Sequence, residues 1–403
     1  MKISLPKNIS NIIEIINNSG YKAHIVGGCV RDIIIGKVPT DWDITTNASP
    51  QVIKSLFSKT VDTGIRHGTV TVIQDGISVE VTTWRKEAGY SDHRHPDSIS
   101  PADSLEDDLS RRDFTMNAIA YHPEEGLIDP YGGFNDIDNK IIRCVGNPYE
   151  RFSEDALRML RAVRFSAQLD FDIDDHTFAA IAKLSPDLSH VSKERIQAEL
   201  NKILGSPAPN RISLLWETGL LRSVFPYIAN LPPIWHTLAV QFTGSPNQRF
   251  ILLALLFYFS FNANKQEEAE KFLASLKYDN ETKKKVTAYI KCLDSIGPAS
   301  PRNIRKTVSE FGASVTADVY KVRSIIGPHE NIDEIYLDTI REMSPIELSL
   351  SGSDLKNAGF KGKEISNMLS ILSLCVFEKP ELNDHQTLLE IAGVISRANP
   401  LSK

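Results

Sequence analysis

Over roughly the first 145 residues apolar positions alternate with polar ones in short runs, and beyond about residue 150 they recur every three or four positions almost without interruption. The alternating runs are YKAHIVGG at 21–28, WDITT at 42–46 and HGTVTVIQDGISVEVTTW at 67–84. Inside the last run the Asp75-Gly76 pair predicts a type I′ hairpin, because both central positions of that turn need positive φ. In SVEVTTW the alternation sets Val79, Val81 and Thr83 on one face, with Glu80 and Thr82 on the other. The later, helical stretch breaks at Gly205, Pro207, Pro209, Pro232, Pro233, Gly297, Pro298 and Pro301. The pattern predicts an α+β chain, a mixed β-sheet head followed by an all-helical body, with no internal repeat.

Two segments bear on location. MKISLPKNISNIIEIINNSG lacks a long apolar core and a small-residue cleavage site, so it predicts an amphipathic helix and no export signal. FILLALLFYFSF at 250–261 is shorter than the ~20 residues that span a bilayer, so no membrane partner is expected. Cys29, Cys144, Cys292 and Cys375 form no CxxC pair or framework spacing, which points to buried thiols in a reducing, cytoplasmic setting. A net charge of -6 excludes a generally basic coat, so a polyanionic partner must meet a local concentration of Arg and Lys. The pattern sets no oligomeric state.

Candidate chemistry concentrates in GGCVRDIIIGKVPTDWDITT at 27–46. Residues two apart in a strand share a face, so Asp41 and Asp43 converge while Trp42 turns into packing. Paired carboxylates offering only oxygen suit Mg²⁺, which completes its shell with water and substrate phosphates; the same pair also reads as turn or capping aspartates before Thr45 and Thr46. Gly27 and Gly28 end an apolar run where a helix carrying Arg31 begins, which allows close approach of an anion, or is simply a tight turn. GxGxxG is absent, and the acids come too early for a dinucleotide fold. Glu80 becomes a third carboxylate if the sheet brings it beside Asp41 and Asp43, as two-metal transfer chemistry requires; alone it is a solvent-facing strand residue.

The 27–46 stretch resembles the first motif of the class II tRNA nucleotidyltransferase and bacterial poly(A) polymerase family, which includes the CCA-adding enzymes. Further blocks follow in the family's order: RRDFTMNAIAY at 111–121, DPYGGFNDI at 129–137, EDALRMLRAVRF at 154–165 and SKERIQAEL at 192–200. The resemblance covers about residues 20–205, and the second half carries no matching motif. It implies a nucleotidyltransferase head at 1–145, a nucleotide-recognition neck at 146–205, a helical body at 206–300 and a helical tail at 301–403 that binds tRNA. The implied reaction is template-independent addition of C and A to the tRNA 3′ end from CTP and ATP, releasing pyrophosphate, with Mg²⁺ on Asp41 and Asp43.

The resemblance also gives roles to charged side chains. Gly28 and Arg31 would steady the triphosphate, Arg112 would face the nucleotide, and Asp113 with Asn117, four apart on a helix, would hold a ribose hydroxyl. Asp155, Arg158, Arg161 and Arg164 form one helical stripe; Asp155 would accept from the exocyclic amine of C or A while Arg158 donates to the adjacent ring nitrogen, a pairing G and U do not match. Arg161 and Arg164 would meet phosphate along the same stripe. Without the resemblance the stripe reads as a solvated Arg-rich face with an ion pair. DPYGGFNDI reads as a structural turn, and SKERIQAEL as a capping box from Ser192 with an Arg195–Glu199 pair.

The polar stretch between Glu80 and Arg111, with His93, Arg94, His95 and Pro96, predicts an irregular loop, and the resemblance implies that a loop of this length goes with adding A as well as C. KKK at 283–285 and PRNIRK at 301–306 are candidates for phosphate contact or solvated faces. Addition of A alone, poly(A) synthesis, and non-catalytic RNA binding are the rival functions; intact Asp41 and Asp43 weigh against the last. No HD dipeptide marks an appended phosphohydrolase.

Overall fold

The structure is a computed structural model that describes residues 3–65, 68–89, 97–224, 231–327 and 332–398. It divides into two compact units, Met1–Leu231 and Pro232–Lys403. In the first, α1 (Lys7–Asn18) buries Ile9, Ile12, Ile13 and Ile16, the spacing of one helix face. The strands are β1 (Ala23–Val26), β2 (Asp43–Thr46), β3 (Thr60–Gly64), β4 (Thr69–Gln74), β5 (Ile77–Thr83), β6 (Arg85–Ala88), β7 (Ser98–Pro101), β8 (Ala120–His122) and β9 (Gly126–Ile128). Seven of them form a sheet in the order β3-β4-β5-β2-β1-β8-β9. Only the β2/β5 pair is parallel; the other neighbours run antiparallel.

The expected hairpin joins β4 and β5: Gln74 pairs with Ile77, and Asp75 and Gly76 have φ of 50° and 80°, both in the region a type I′ turn demands. Val70, Val72, Val79 and Val81 are buried on the sheet's inner face, as the alternation requires. The polar stretch after Glu80 differs from the irregular loop expected, because its two ends pair as β6 and β7, Arg85 opposite Pro101 and Ala88 opposite Ser98. Alternating residues of SISP make that ribbon possible; His93, Arg94, His95 and Pro96 lie outside the described residues.

The remaining helices of this unit are α2 (Gly28–Ile34), α3 (Pro50–Leu56), α4 (Leu105–Ser110), α5 (Gly133–Asp138), α6 (Pro148–Glu154), α7 (Leu157–Leu169), α8 (Asp175–Leu184), α9 (Lys193–Leu204), α10 (Leu214–Glu217) and α11 (Leu220–Val224). RRDFTMNAIAY is not the helix expected: only Thr115–Asn117 forms a single 3₁₀ turn, since Phe114 bridges to Cys144 and β8 begins at Ala120. DPYGGFNDI is structural, as expected. The Asp129 carboxylate accepts from Gly133 and Phe134 N–H at 2.8 Å each, and a Cβ on Gly133 would lie 2.1 Å from the Thr115 carbonyl oxygen. The all-helical body is interrupted once among the described residues, where Asp172–Ile173 pairs in parallel with Ile141–Ile142.

The second unit is helical throughout its described residues: α12 (Trp235–Gln241), α13 (Gln248–Ser260), α14 (Lys265–Ser275), α15 (Asn280–Ser295), α16 (Pro301–Phe311), α17 (Ala313–Ile326), α18 (Glu334–Glu342), α19 (Gly352–Asn357), α20 (Lys363–Glu378) and α21 (His385–Ala398). α13 carries the most apolar run and is buried from Phe250 to Phe257. Among the described residues no helix is long and apolar enough to cross a membrane. One core gathers Ile304, Val308, Ala317, Tyr320, Leu337 and Ile340, and another gathers Leu355, Met368, Leu372, Val376 and Leu388.

Candidate active site

A cavity of about 380 Å³ opens between the central β2/β5 pair of the sheet and α7. Four carboxylate residues line it, Asp43, Glu80, Asp113 and Asp155, with six arginines, Arg85, Arg111, Arg112, Arg158, Arg161 and Arg195.

The strand wall comes from the parallel pairing of β2 with β5, which sets Asp43 opposite Glu80 while the Glu80 N–H donates to the Trp42 carbonyl at 3.2 Å. Register partners on neighbouring strands project from the same face, so both carboxylates reach the cavity. Asp41 sits in a bend before β2, exposed and outside the cavity lining, since sheet pairing begins only at Trp42. Its charge still reaches Asp43. Burial raises the Asp43 carboxyl to about 6, opposed by the Arg112 guanidinium and reinforced by Glu80 and Asp41.

Gly27 ends β1 with φ 81°, and a Cβ there would lie 2.8 Å from Arg112 Nη1, so the glycine is required both for its conformation and for the packing of that arginine. Gly28, half-buried, opens α2. Arg31 is held beside the cavity and does not line it: its Nη1 donates to Asn117 Oδ1 at 2.7 Å, Nε and Nη2 donate to Asp32 Oδ1 at 3.0 and 2.7 Å, and its guanidinium lies 5.2 Å from the Phe165 ring centre. Arg112 keeps its Nε buried with no hydrogen-bond partner among the described residues, and Nη1 donates to the Asn117 carbonyl at 3.4 Å. The Asn117 amide donates to Asp113 Oδ1 at 3.0 Å, so the expected four-residue pair does meet, across a turn and not along a helix.

The helix wall departs furthest from the predicted stripe. Asp155 is not on the same rigid helix as Arg158; it stands at the break between α6 and α7, where its Oδ1 accepts from Leu157 N–H at 3.0 Å. Arg195 of α9 grips it with both Nη atoms, at 3.2 and 2.7 Å. Arg158 donates to the Arg151 carbonyl at 3.0 Å, to Glu154 at 2.5 Å and to the Arg111 carbonyl at 3.2 Å. Arg161 donates Nε to Asp113 Oδ2 at 2.7 Å. Burial alone would raise the Asp113 carboxyl, but Arg161 and the Asn117 amide hold it down at about 2. Arg164 turns inward, 8% exposed, its Nε 2.7 Å from Glu199 Oε2, and burial lowers its pKa to about 10. It therefore lines no part of the cavity. The Arg195–Glu199 pair expected on α9 does not form, because each side chain is drawn to a partner on another element, and Ser192 makes no side-chain cap.

Three cavity arginines were not assigned to the site from the sequence. Arg85 had no signal, since the alternation that exposes Glu80 and Thr82 points to Trp84 next, and Trp84 is 5% exposed. Arg111 stood beside Arg112 in its motif, and Arg195 was assigned to its own helix. Asp108 is fully buried and organises this corner: it accepts from Thr45 Oγ1 at 3.0 Å and from Arg111 Nη2 at 2.8 Å, with Arg112 Nη2 3.7 Å away.

Residues 23–143 match the poly A polymerase head domain, 170–231 the probable RNA and SrmB-binding site of polymerase A, and 250–392 the putative tRNA nucleotidyltransferase domain 2. A CCA-adding enzyme of Geobacillus sp. (strain WCH70) is 38% identical over 390 residues, 93% of each chain. The chain belongs to the CCA-adding enzyme family. A Pediococcus pentosaceus CCA-adding enzyme is 36% identical over 394 residues, covering 96% of this chain and 97% of the relative. The crystal structure of the Bacillus stearothermophilus CCA-adding enzyme in complex with CTP superposes with a TM-score of 0.78 at 30% identity, covering 98% of each chain. The likeness therefore runs well past residue 205, where motifs stop being recognisable by eye.

Nucleotidyltransferases of this kind generally use a divalent metal. Among the described residues no three His, Cys, Asp or Glu side chains converge closely enough to enclose an ion by themselves. The donor set nonetheless fits a hard cation that takes remaining ligands from water and substrate: Asp43 and Glu80 are register partners that both line the cavity and offer only oxygen, and a cation would offset the burial that, with smaller help from Glu80 and Asp41, raises the Asp43 carboxyl.

Proposed function

We propose that this chain completes tRNA 3′ ends by adding C and A from CTP and ATP, using the strand wall of the cavity for transfer and the helix wall for choosing the base. The observation that carries this reading is the enclosure, in one cavity, of Asp43 and Glu80 opposite Asp155 and Arg158. The head at 1–145 supplies the first wall, the neck at 146–205 the second, and the helical residues 206–300 and 301–403 hold the tRNA.

Asp41 and Asp43 are the residues to hold Mg²⁺, and Glu80 adds a third carboxylate to that wall. Bound there, the metal supplies positive charge to the triphosphate and acidity to the primer hydroxyl. Arg112, which lines the cavity, contributes positive charge to the phosphates, and Gly28 opens the helix end beside them. Arg31, fixed by Asn117 and Asp32, stands beside the strand wall, and Arg164, fixed by Glu199, turns into the packing of the helix wall, while Arg161 faces the nucleotide. The primer 3′ hydroxyl gives up its proton to water, its oxygen bonds to the α-phosphorus as the bond from that phosphorus to the α–β bridging oxygen breaks, and pyrophosphate leaves.

Base choice follows from lone pairs. A carboxylate has roughly four acceptor positions, and at Asp155 the Arg195 fork and Leu157 N–H occupy three. One remains for a single amino group, which C and A offer beside an unprotonated ring nitrogen on the Watson–Crick edge, where G and U present a carbonyl beside a ring N–H. The free thiols Cys29, Cys144, Cys292 and Cys375 suit a cytoplasmic enzyme.

The test uses purified protein and tRNAs ending at the discriminator base, at C and at CC, with CTP and ATP supplied separately and together. Stepwise extension of all three to CCA is expected. Extension of the CC end alone would make this an A-adding enzyme, long A tails a poly(A) polymerase, and tRNA binding without extension an RNA-binding protein.

A further inference from the structure

The two basic stretches in the helical half have different fates. In PRNIRK, Arg305 donates to the Phe377 carbonyl at 2.6 Å and to the Glu378 carbonyl at 3.4 Å, and Arg302 lies 3.5 Å from the Glu378 carboxylate. These arginines close the C-terminal end of α20, where exposed carbonyls and the helix dipole favour cations, so structure accounts for them. In KKK, Lys285 pairs with Glu281 at 2.8 Å and lies 4.7 Å from the Phe250 ring centre. Lys283 and Lys284 are different. Together with Lys291 they line a cleft of about 620 Å³ between α14, α15 and α16, and none of the three makes an ion pair among the described residues.

Three features make this more than a solvated face. Lys284 and Lys291 are exposed and Lys283 half-exposed, so the ammonium groups keep their reach, while Phe311 and Ala274 give the cleft an apolar floor. Glu270 and Glu310 also line the cleft, yet neither is paired with a lysine there among the described residues, so the cations are not consumed by their neighbours. Lys283 and Lys284 stand four and five positions into α15, near the end whose unpaired N–H groups carry positive charge; Glu281 there follows the usual preference and the lysines oppose it.

We infer that this cleft binds the sugar-phosphate backbone of the RNA substrate, with Lys283, Lys284 and Lys291 on successive phosphates and the Glu270 and Glu310 carboxylates available to accept from ribose 2′ hydroxyls. The inference rests on the tRNA reading above and assigns it residues. The cleft lies within the second unit and contains no residue of the nucleotide cavity, so it acts on substrate affinity and leaves the chemistry alone.

The experiment compares the full-length enzyme with a Lys283→Ala, Lys284→Ala, Lys291→Ala variant, measuring binding of a tRNA lacking CCA at several KCl concentrations. Removing one lysine–phosphate pairing reduces the salt slope by about 0.7 to 0.9, so a drop of roughly 2 and a 10- to 100-fold weaker affinity at physiological salt are expected. KM for tRNA should rise in step, with KM for CTP and kcat at saturating tRNA nearly unchanged. Arginine at all three positions should restore binding, and Lys285→Ala should leave it intact. An unchanged slope and affinity in the triple alanine variant, with wild type active in CCA addition, would overturn the assignment. A wild type that binds tRNA but never extends it overturns the functional reading instead, and leaves the binding curves to judge the cleft.

Discussion

On the strand side of the nucleotide cavity Asp43 and Glu80 stand where alternation along β2 and β5 puts them, whereas on the helix side each arginine of α7 goes where an acid from another element draws it. A strand residue has two possible directions, set by parity, and pairing with one neighbour fixes the rest. A long side chain on a helix has several rotamers and a reach of several ångströms, so its partner decides. Hence Arg161 ends on Asp113 and Arg164 on Glu199, though they are three residues apart on one stripe. The strand wall is written locally and the helix wall is negotiated between α6, α7, α9 and the turn at Asp113.

The largest effect should come from the strand wall. Asp43→Asn, or Asp41→Ala, should lower incorporation of both C and A by on the order of 10³-fold or more, because several kcal/mol of charge stabilisation is removed, while binding of tRNA stays near wild type. Retained activity would break the assignment of chemistry to this side. Next comes the helix wall: Asp155→Ala or Arg158→Ala should reduce the CTP over UTP ratio of kcat/KM by roughly 10- to 100-fold, from about 1 to 3 kcal/mol per base contact. Arg195→Ala should lower the same ratio by loosening Asp155. If the ratio stays fixed in all three while rates fall together, base choice lies elsewhere.

A subtler contrast is in pH. Asp43 has its carboxyl raised from 3.8 to about 6, so ionising it opposes folding: the penalty is absent below pH 3.8, builds between there and about 6, and is full above. Metal-free Asp43→Asn should therefore melt higher than wild type near pH 7 and alike near pH 4, with added Mg²⁺ narrowing the difference at the higher pH. The opposite sign would mean that Asp43 is stabilised as an anion. The smallest effect is expected at the hairpin, where Gly76→Ala strains a φ of 80° and should cost about 1 kcal/mol, a few degrees of melting temperature, without changing nucleotide preference.

The same division explains what could be read from the residues. The α1 face and the hairpin follow from periodicity and turn chemistry, and the structure carries them; the face of Glu80 follows too, but its place beside Asp43 depends on the β2/β5 pairing, which alternation left open. Asp41 falls outside the lining because Thr40 and its bend precede the first sheet hydrogen bond, which parity along the chain does not reveal. Arg195 on Asp155 was illegible for a different reason: 40 residues separate the pair, and the acid expected to hold Arg195, Glu199, is drawn to Arg164. Arg85 entered because β6 leaves the line of β5 to pair with β7, a change of direction that no alternation records.

The distance along the chain between Asp155 and its brace also has a meaning in time. Protein synthesis delivers the head before the neck, and domains begin to fold as they emerge. β1 to β9 can assemble, with Asp43 already opposite Glu80, while α7 is still inside the ribosome and α9 has not been translated. A nascent chain at that stage owns the acids proposed for nucleotidyl transfer and lacks the side chains proposed to select a base; a chain terminated before Arg195 would keep Asp155 without the guanidinium that holds it. On the proposed reading the base-choosing wall is made after the transfer acids and before the helices that hold the tRNA, so synthesis adds chemistry, then fidelity, then grip on the substrate.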